Sequence, residues 1–140
     1  MKFQRISLNN WMVFKGEQEL IFPQDDNVNI LVLFGENMNG KTTILNSVRW
    51  CFYGEALNNA KIEIPHRELI NIEARNAGEE KLEVGIDFTA DGSEYSLRRS
   101  LLFKGDNINP KMTIQMKKDS REQEGGKISS EIEKILPQQM

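Results

Sequence analysis

The eight residues Gly35-Glu36-Asn37-Met38-Asn39-Gly40-Lys41-Thr42 satisfy the pattern G-x-x-x-x-G-K-[ST] in full. Each required residue type answers a physical demand. Glycines at both ends let the backbone wrap closely round a phosphate, so that successive N–H groups point inward at its oxygens. A helix starting near Lys41 adds unpaired N–H donors and the positive end of its dipole. Lys41 then reaches the β- and γ-phosphates as a point charge, and the Thr42 hydroxyl ligates magnesium. Thr43 is placed to hydrogen-bond the α-phosphate. With ordinary residue frequencies the pattern arises by accident in well under about 1% of chains this long. The expected ligands are therefore ATP and Mg2+, held by Gly35, Glu36, Asn37, Met38, Asn39, Gly40, Lys41, Thr42 and Thr43. Lys41 is the candidate catalytic residue and Thr42 the candidate metal ligand.

Such a loop needs a strand to deliver it and a helix to follow it. Ile30-Leu31-Val32-Leu33-Phe34 is an unbroken apolar run that predicts a strand buried on both faces of a sheet. From Thr42 to about Tyr53, Ile44, Leu45, Val48, Cys51 and Phe52 predict a helix with one apolar face, ended by Gly54. Upstream, Phe3, Ile6 and Leu8 predict a strand through Asn9, and a second strand follows at Glu17–Phe22. Residues 55–79 read as loop with a short helix near Arg67–Ile72. Leu82–Phe88 alternates strictly, Asp91-Gly92 marks a hairpin turn, and Glu94–Phe103 returns. A further turn at Lys104-Gly105-Asp106-Asn107 leads to a third strand at Met112–Lys117. Asp119–Gly126 reads as a mobile polar loop. Ser130 and Glu133 form a capping-box pair beside a short amphipathic helix through Ile128, Ile132, Ile135 and Leu136, stopped by Pro137.

The remaining candidates have plainer readings. Trp50 and Cys51 are expected in the core, and His66 on the surface. Arg98 and Arg99 are neighbours on a strand, so their side chains take opposite faces, with a salt-bridged surface position expected for each. Lys111, Lys117, Lys118 and Arg121 form a modest basic cluster diluted by Asp119, Glu122 and Glu124.

The order of elements together with FGENMNGKTTILNSVRWCFYG resembles the N-terminal lobe of the SMC-like ABC ATPases, the coiled-coil family of chromosome maintenance and break repair. Arg49-Trp50 followed by Phe52-Tyr53-Gly54 is similar to the DndD family of DNA sulfur-modification ATPases and its anti-phage relatives. Glu94–Arg99 on the returning strand matches that group's β-meander. The resemblance implies an α/β P-loop NTPase: an ABC-type N-lobe with a mixed sheet, the P-loop helix and an antiparallel meander, spanning residues 1–140. It implies a C-terminal lobe returning after a coiled coil, a head-to-head homodimer partner, and DNA as the partner of the intact assembly. Relatives place residues near adenine and ribose at the position of Trp11, which otherwise braces a sheet corner. Met38 departs from the family, which commonly has glycine there. If that position needs φ > 0, methionine is strained by about 1–2 kcal/mol.

Composition sets the outer bounds. The 140 residues are 39% hydrophobic and 28% charged, with a net charge of −3 that gives no bulk attraction to nucleic acid. No run of eighteen apolar residues exists, so no membrane partner is expected. One cysteine fits a reducing cytoplasm. No apolar strand ending in Asp-Glu is found, nor a Ser-Gly-Gly signature loop. The segment is therefore expected to be a fragment that binds nucleotide poorly alone and hydrolyses it negligibly. A different P-loop class, a non-hydrolysing nucleotide-sensing module and a structural DNA clamp are the alternatives.

Overall fold

Strict alternation of apolar and polar residues builds most of the molecule. The computed structural model describes residues 1–36, 40–105 and 109–136. Strands β1 (Lys2–Asn9), β2 (Glu17–Ile21), β3 (Lys81–Ala90), β4 (Ser93–Leu102), β5 (Lys111–Lys118) and β6 (Arg121–Glu122) form one sheet in the order β2-β1-β3-β4-β5-β6. Every neighbouring pair is antiparallel. Register aligns Ile6, Ile86, Leu97 and Met116 across four strands, and all four are buried. This row is the spine of the core, because each strand turns its second-residue set to the same face. The expected meander at 82–117 is present, with Asp91 at φ 50° and Gly92 at φ 78° in its first turn. Part of the second turn, Asp106 and Asn107, lies outside the described residues, as do Asn37, Met38, Asn39 and Pro137.

Helices cover one face of this sheet. Helix α1 (Lys41–Tyr53) lies against β3 and β4, and it ends where the Gly54 N–H closes on the Trp50 carbonyl. Phe52 packs edge-on against Phe88 at 5.5 Å, and Phe88 stacks on Tyr95 at 5.1 Å. A short 3-10 turn at His66–Glu68 and α2 (Ile72–Asn76) follow, near the expected Arg67–Ile72 helix. Helix α3 (Gly125–Ile135) seats Ile128 and Ile132 beside β5. Its Glu131 carboxylate accepts from Tyr95 and Lys118.

Four expectations are corrected. The sheet is wholly antiparallel, not mixed, and Ile30–Phe34 is not a buried strand. Residues 30–36 carry no strand pairing, with Ile30 77% and Phe34 92% exposed. An apolar run becomes a buried strand only when ladders flank it, and no described strand pairs with this one. Second, the buried face of α1 is wider and turned from the one anticipated: Cys51 and Phe52 are buried and Ile44 and Val48 partly so, as expected, but Leu45 is exposed, while Thr43, Asn46, Ser47 and Trp50 turn inward. Small residues at 43 and 47 let the helix approach the sheet closely, and the Ser47 hydroxyl is satisfied by the Ile44 carbonyl. Third, the supposed mobile loop at 119–126 begins as a hairpin, with Asp119 and Ser120 both at positive φ between β5 and β6, and ends in the first residues of α3. Fourth, α3 starts at Gly125, so Ser130 lies inside it and donates to the Lys127 carbonyl instead of capping. Burial of Ile128 and Ile132 outweighs the poor helix propensity of Gly125-Gly126. No helix among the described residues is long and apolar enough to cross a membrane.

The uncovered face of the sheet carries a charge network centred on Asp87. Arg5 donates to its carboxylate at 2.9 and 2.7 Å, and Arg98 at 2.9 Å. Gly85, the register partner of Arg98, leaves room for this: a Cβ there would meet three Arg98 atoms at 2.6 Å. Burial raises the Asp87 pKa, but the Ser96 bond and the two arginines outweigh it and hold the carboxyl below its ordinary value. A depressed folded pKa contributes stability that is complete above the unfolded value of about 4 and is lost as pH falls through the folded one. Asp87→Asn is therefore expected to lower stability by about 1–2 kcal/mol at pH 7. The gap to wild type should close below about pH 4, which urea melts across pH would show.

Candidate functional site

The loop-to-helix junction is organised by the tip of the β1–β2 hairpin. Asn10 sits at φ 54°, and its side chain accepts from Gly16 N–H at 2.9 Å and donates to the Lys81 carbonyl at 3.1 Å. Asn71 ties the tip down a second time, donating from its backbone to Asn10 and from its amide to Met12. The Met12 N–H donates to Leu69 at 2.7 Å. The pinned tip presents three side chains to the start of α1. Trp11 donates from its indole to the Thr43 carbonyl at 3.0 Å, and Val13 and Phe14 lie against Gly40.

Gly40 is the N-cap of α1 at φ 97°. A Cβ at this position would sit 2.6 Å from Phe14 Cζ and 3.2 Å from Val13. Backbone conformation and the neighbouring side chain thus exclude the same atom. The Ile44 N–H donates to the Gly40 carbonyl at 2.9 Å, which opens the helix. The first turn contains no acidic residue, and among the described residues no side chain caps it. The positive end of the helix dipole is therefore left for an anion. Lys41 turns its ammonium back onto the Gly35 carbonyl, so the first glycine and the lysine of the motif are in contact. Thr42 is exposed at the helix start, while Thr43 is buried. Gly35 and Glu36 are exposed. A lone hydroxyl such as that of Thr42 suits a magnesium ion whose other ligands are phosphate oxygens and water. No group of three His, Cys, Asp or Glu among the described residues competes as a metal site.

Gly40→Ala is expected to cost about 2 kcal/mol, because a non-glycine residue at positive φ is strained and Phe14 must move. In a denaturant-melt cycle, Gly40→Ala with Phe14→Ala should be at least about 0.5 kcal/mol less destabilised than the sum of the singles.

Other candidates resolve differently. Trp11 is fully buried and braces the sheet corner; it does not line an open base site. His66 is half-buried, not on the open surface, and its Nε2 lies 3.2 Å from the Gly54 carbonyl. Arg98 is the salt-bridged residue expected, but Arg99 is 8% exposed and binds backbone carbonyls of α1. Lys118 belongs to Glu131 and so leaves the basic cluster. Cys51 is fully buried; burial pushes its thiol up to about 12, and it is inert. Sequence reasoning overlooked Phe14, Asn46 and Asn71. The last two carried a legible signal, since asparagine side chains readily take over backbone hydrogen bonds at turns and caps. Asn46 accepts from and donates to Leu57, and Asn71 caps α2 through the Ala74 N–H.

A family model described as an AAA domain matches residues 5–139 of the chain. No protein of curated function matches the sequence.

Proposed function

The chain belongs to the AAA domain family, and on that premise we propose that it binds ATP with magnesium as the N-terminal lobe of an SMC-like ATPase. The observation that carries this reading is the start of α1: a first turn that no described side chain caps, opened by a glycine at φ 97° and followed at once by Lys41. The triphosphate takes the place of a cap. Lys41 moves from the Gly35 carbonyl to the β- and γ-phosphates, exchanging a neutral acceptor for charged ones. Gly35, Glu36, Asn37, Met38, Asn39, Gly40 and Thr43 line the phosphates, and the Thr42 hydroxyl holds magnesium, which neutralises phosphate charge when bound.

The exposed run Ile30–Phe34 supports a second lobe. Five consecutive apolar residues without a ladder gain burial and hydrogen bonds once strands from a C-terminal lobe pair with them. That lobe brings the water-activating carboxylate, and a head-to-head dimer completes each site. The work driven by hydrolysis is DNA-associated, in repair, sulfur modification or phage defence. This finer assignment rests on the likeness of residues 30–54 and 94–99 to that group.

The test is ATP turnover by the longest native chain containing residues 1–140, measured with and without DNA. Turnover stimulated by DNA is expected. ATP binding without turnover would instead establish the nucleotide-sensing module.

A further inference from the structure

We propose that Arg99 is a positioning residue for ATP: it fixes where α1 sits along its own axis, and with it the N–H groups that meet phosphate. The proposal rests on the ATP-binding reading above.

A buried arginine is costly unless its charge and donors are matched. Among the described residues Arg99 is matched by no carboxylate. Its Nε donates to the Cys51 carbonyl at 3.0 Å and one terminal nitrogen to the Phe52 carbonyl at 3.3 Å. The other lies 3.2 Å from Met112 Sδ. The guanidinium thus grips the last turn of α1, whose carbonyls carry the negative end of the helix dipole. No basic residue of α1 itself lies in that turn, so the cation is supplied from β4.

The grip continues to the other end of the helix. Arg99 lies over the Trp50 ring at 5.9 Å, and Trp50 packs on Trp11 at 5.1 Å. The Trp50 indole N–H has no acceptor among the described residues, so ring contacts alone place it. Trp11 then donates to Thr43 in the first turn. One buried chain of contacts, Arg99–Trp50–Trp11–Thr43, runs from the last turn to the first. A 13-residue helix is a rigid rod about 20 Å long, so an axial shift at its C-terminal end reappears at Lys41. Hydrogen bonds to phosphate weaken steeply with such shifts. Lysine reproduces the charge but not the two-pronged grip.

The experiment uses the longest native chain containing residues 1–140 and a fluorescent ATP analogue with magnesium. Wild type, Arg99→Met and Arg99→Lys are titrated at a temperature where far-UV circular dichroism shows each fully folded. The dissociation constant is expected to rise about tenfold for Arg99→Met and about threefold for Arg99→Lys. The near-UV signal of the Trp11–Trp50 pair should change in Arg99→Met and return toward wild type at saturating nucleotide. A residue that only stabilises the fold would lower the melting temperature and leave affinity untouched. A wild-type dissociation constant in either folded variant therefore overturns the proposal and leaves ATP binding standing. If Arg99→Met does not fold, Arg99→Lys decides by the same criterion. Failure of wild type itself to bind the analogue overturns the ATP-binding reading, and the proposal with it.

Discussion

Lys41→Ala is expected to leave the fold intact and weaken ATP binding about ten- to hundredfold. The two halves of this expectation come from different observations. In the structure Lys41 is half-buried and, among the described residues, its only side-chain hydrogen bond is to the exposed Gly35 carbonyl. Removing such a contact changes stability by no more than about 0.5 kcal/mol. Its contact with phosphate is of another kind. A hydrogen bond between charged groups is worth about 1.5–3 kcal/mol, and each 1.4 kcal/mol is a factor of ten in affinity. Calorimetric titration with magnesium ATP, paired with a thermal melt, separates the two. Equal affinity for wild type and variant would remove Lys41 from the site, and a large fall in melting temperature would make any loss of binding uninterpretable.

Trp50→Ala is expected to be the most damaging core substitution, at about 3–5 kcal/mol. Trp50 is fully buried, packed on Trp11 and beneath Arg99, so truncation leaves a cavity and strips a buried cation of its aromatic platform. Against a typical total of about 5–15 kcal/mol, that loss brings the protein close to unfolding at ambient temperature. Trp50→Phe is the informative control. It keeps most of the ring contact and deletes an indole N–H that lacks an acceptor among the described residues, so it should cost far less than alanine. Guanidinium melts followed by circular dichroism report both. A loss below about 1 kcal/mol for Trp50→Ala would mean that the core closes over the gap and that the contact chain through Trp50 carries little.

The contrast between these two residues shows what the sequence made legible. Lys41 was identifiable because its motif is local: eight residues and one helix start define it. The meander was legible for the same reason, since Leu82–Phe88 alternates strictly and Asp91-Gly92 has the backbone its turn needs. Burial is another matter, because it depends on what lies opposite. Ile30–Phe34 has the composition of a core strand, yet no described strand pairs with it. Helix α1 carries apolar residues on two sides, and only the sheet determines that Trp50 and Ser47 turn inward and Leu45 outward. Arg99 was misjudged for a related reason. A charge on a strand reads as surface unless the carbonyls at the end of a distant helix are known to meet it.

The buried thiol of Cys51 has a practical corollary. It is the only cysteine in the chain, it is fully enclosed, and its pKa near 12 keeps it protonated. Maleimides and other thiol reagents attack the exposed thiolate and should pass it by while the protein is folded. A single cysteine engineered at an open position such as Leu45 or Glu36 would then be labelled alone, with no need to remove the native one. The molecule is in effect ready for spin labels or fluorophores placed one at a time beside the helix start. Slow, unwanted modification of Cys51 would itself count the fraction of molecules that have opened.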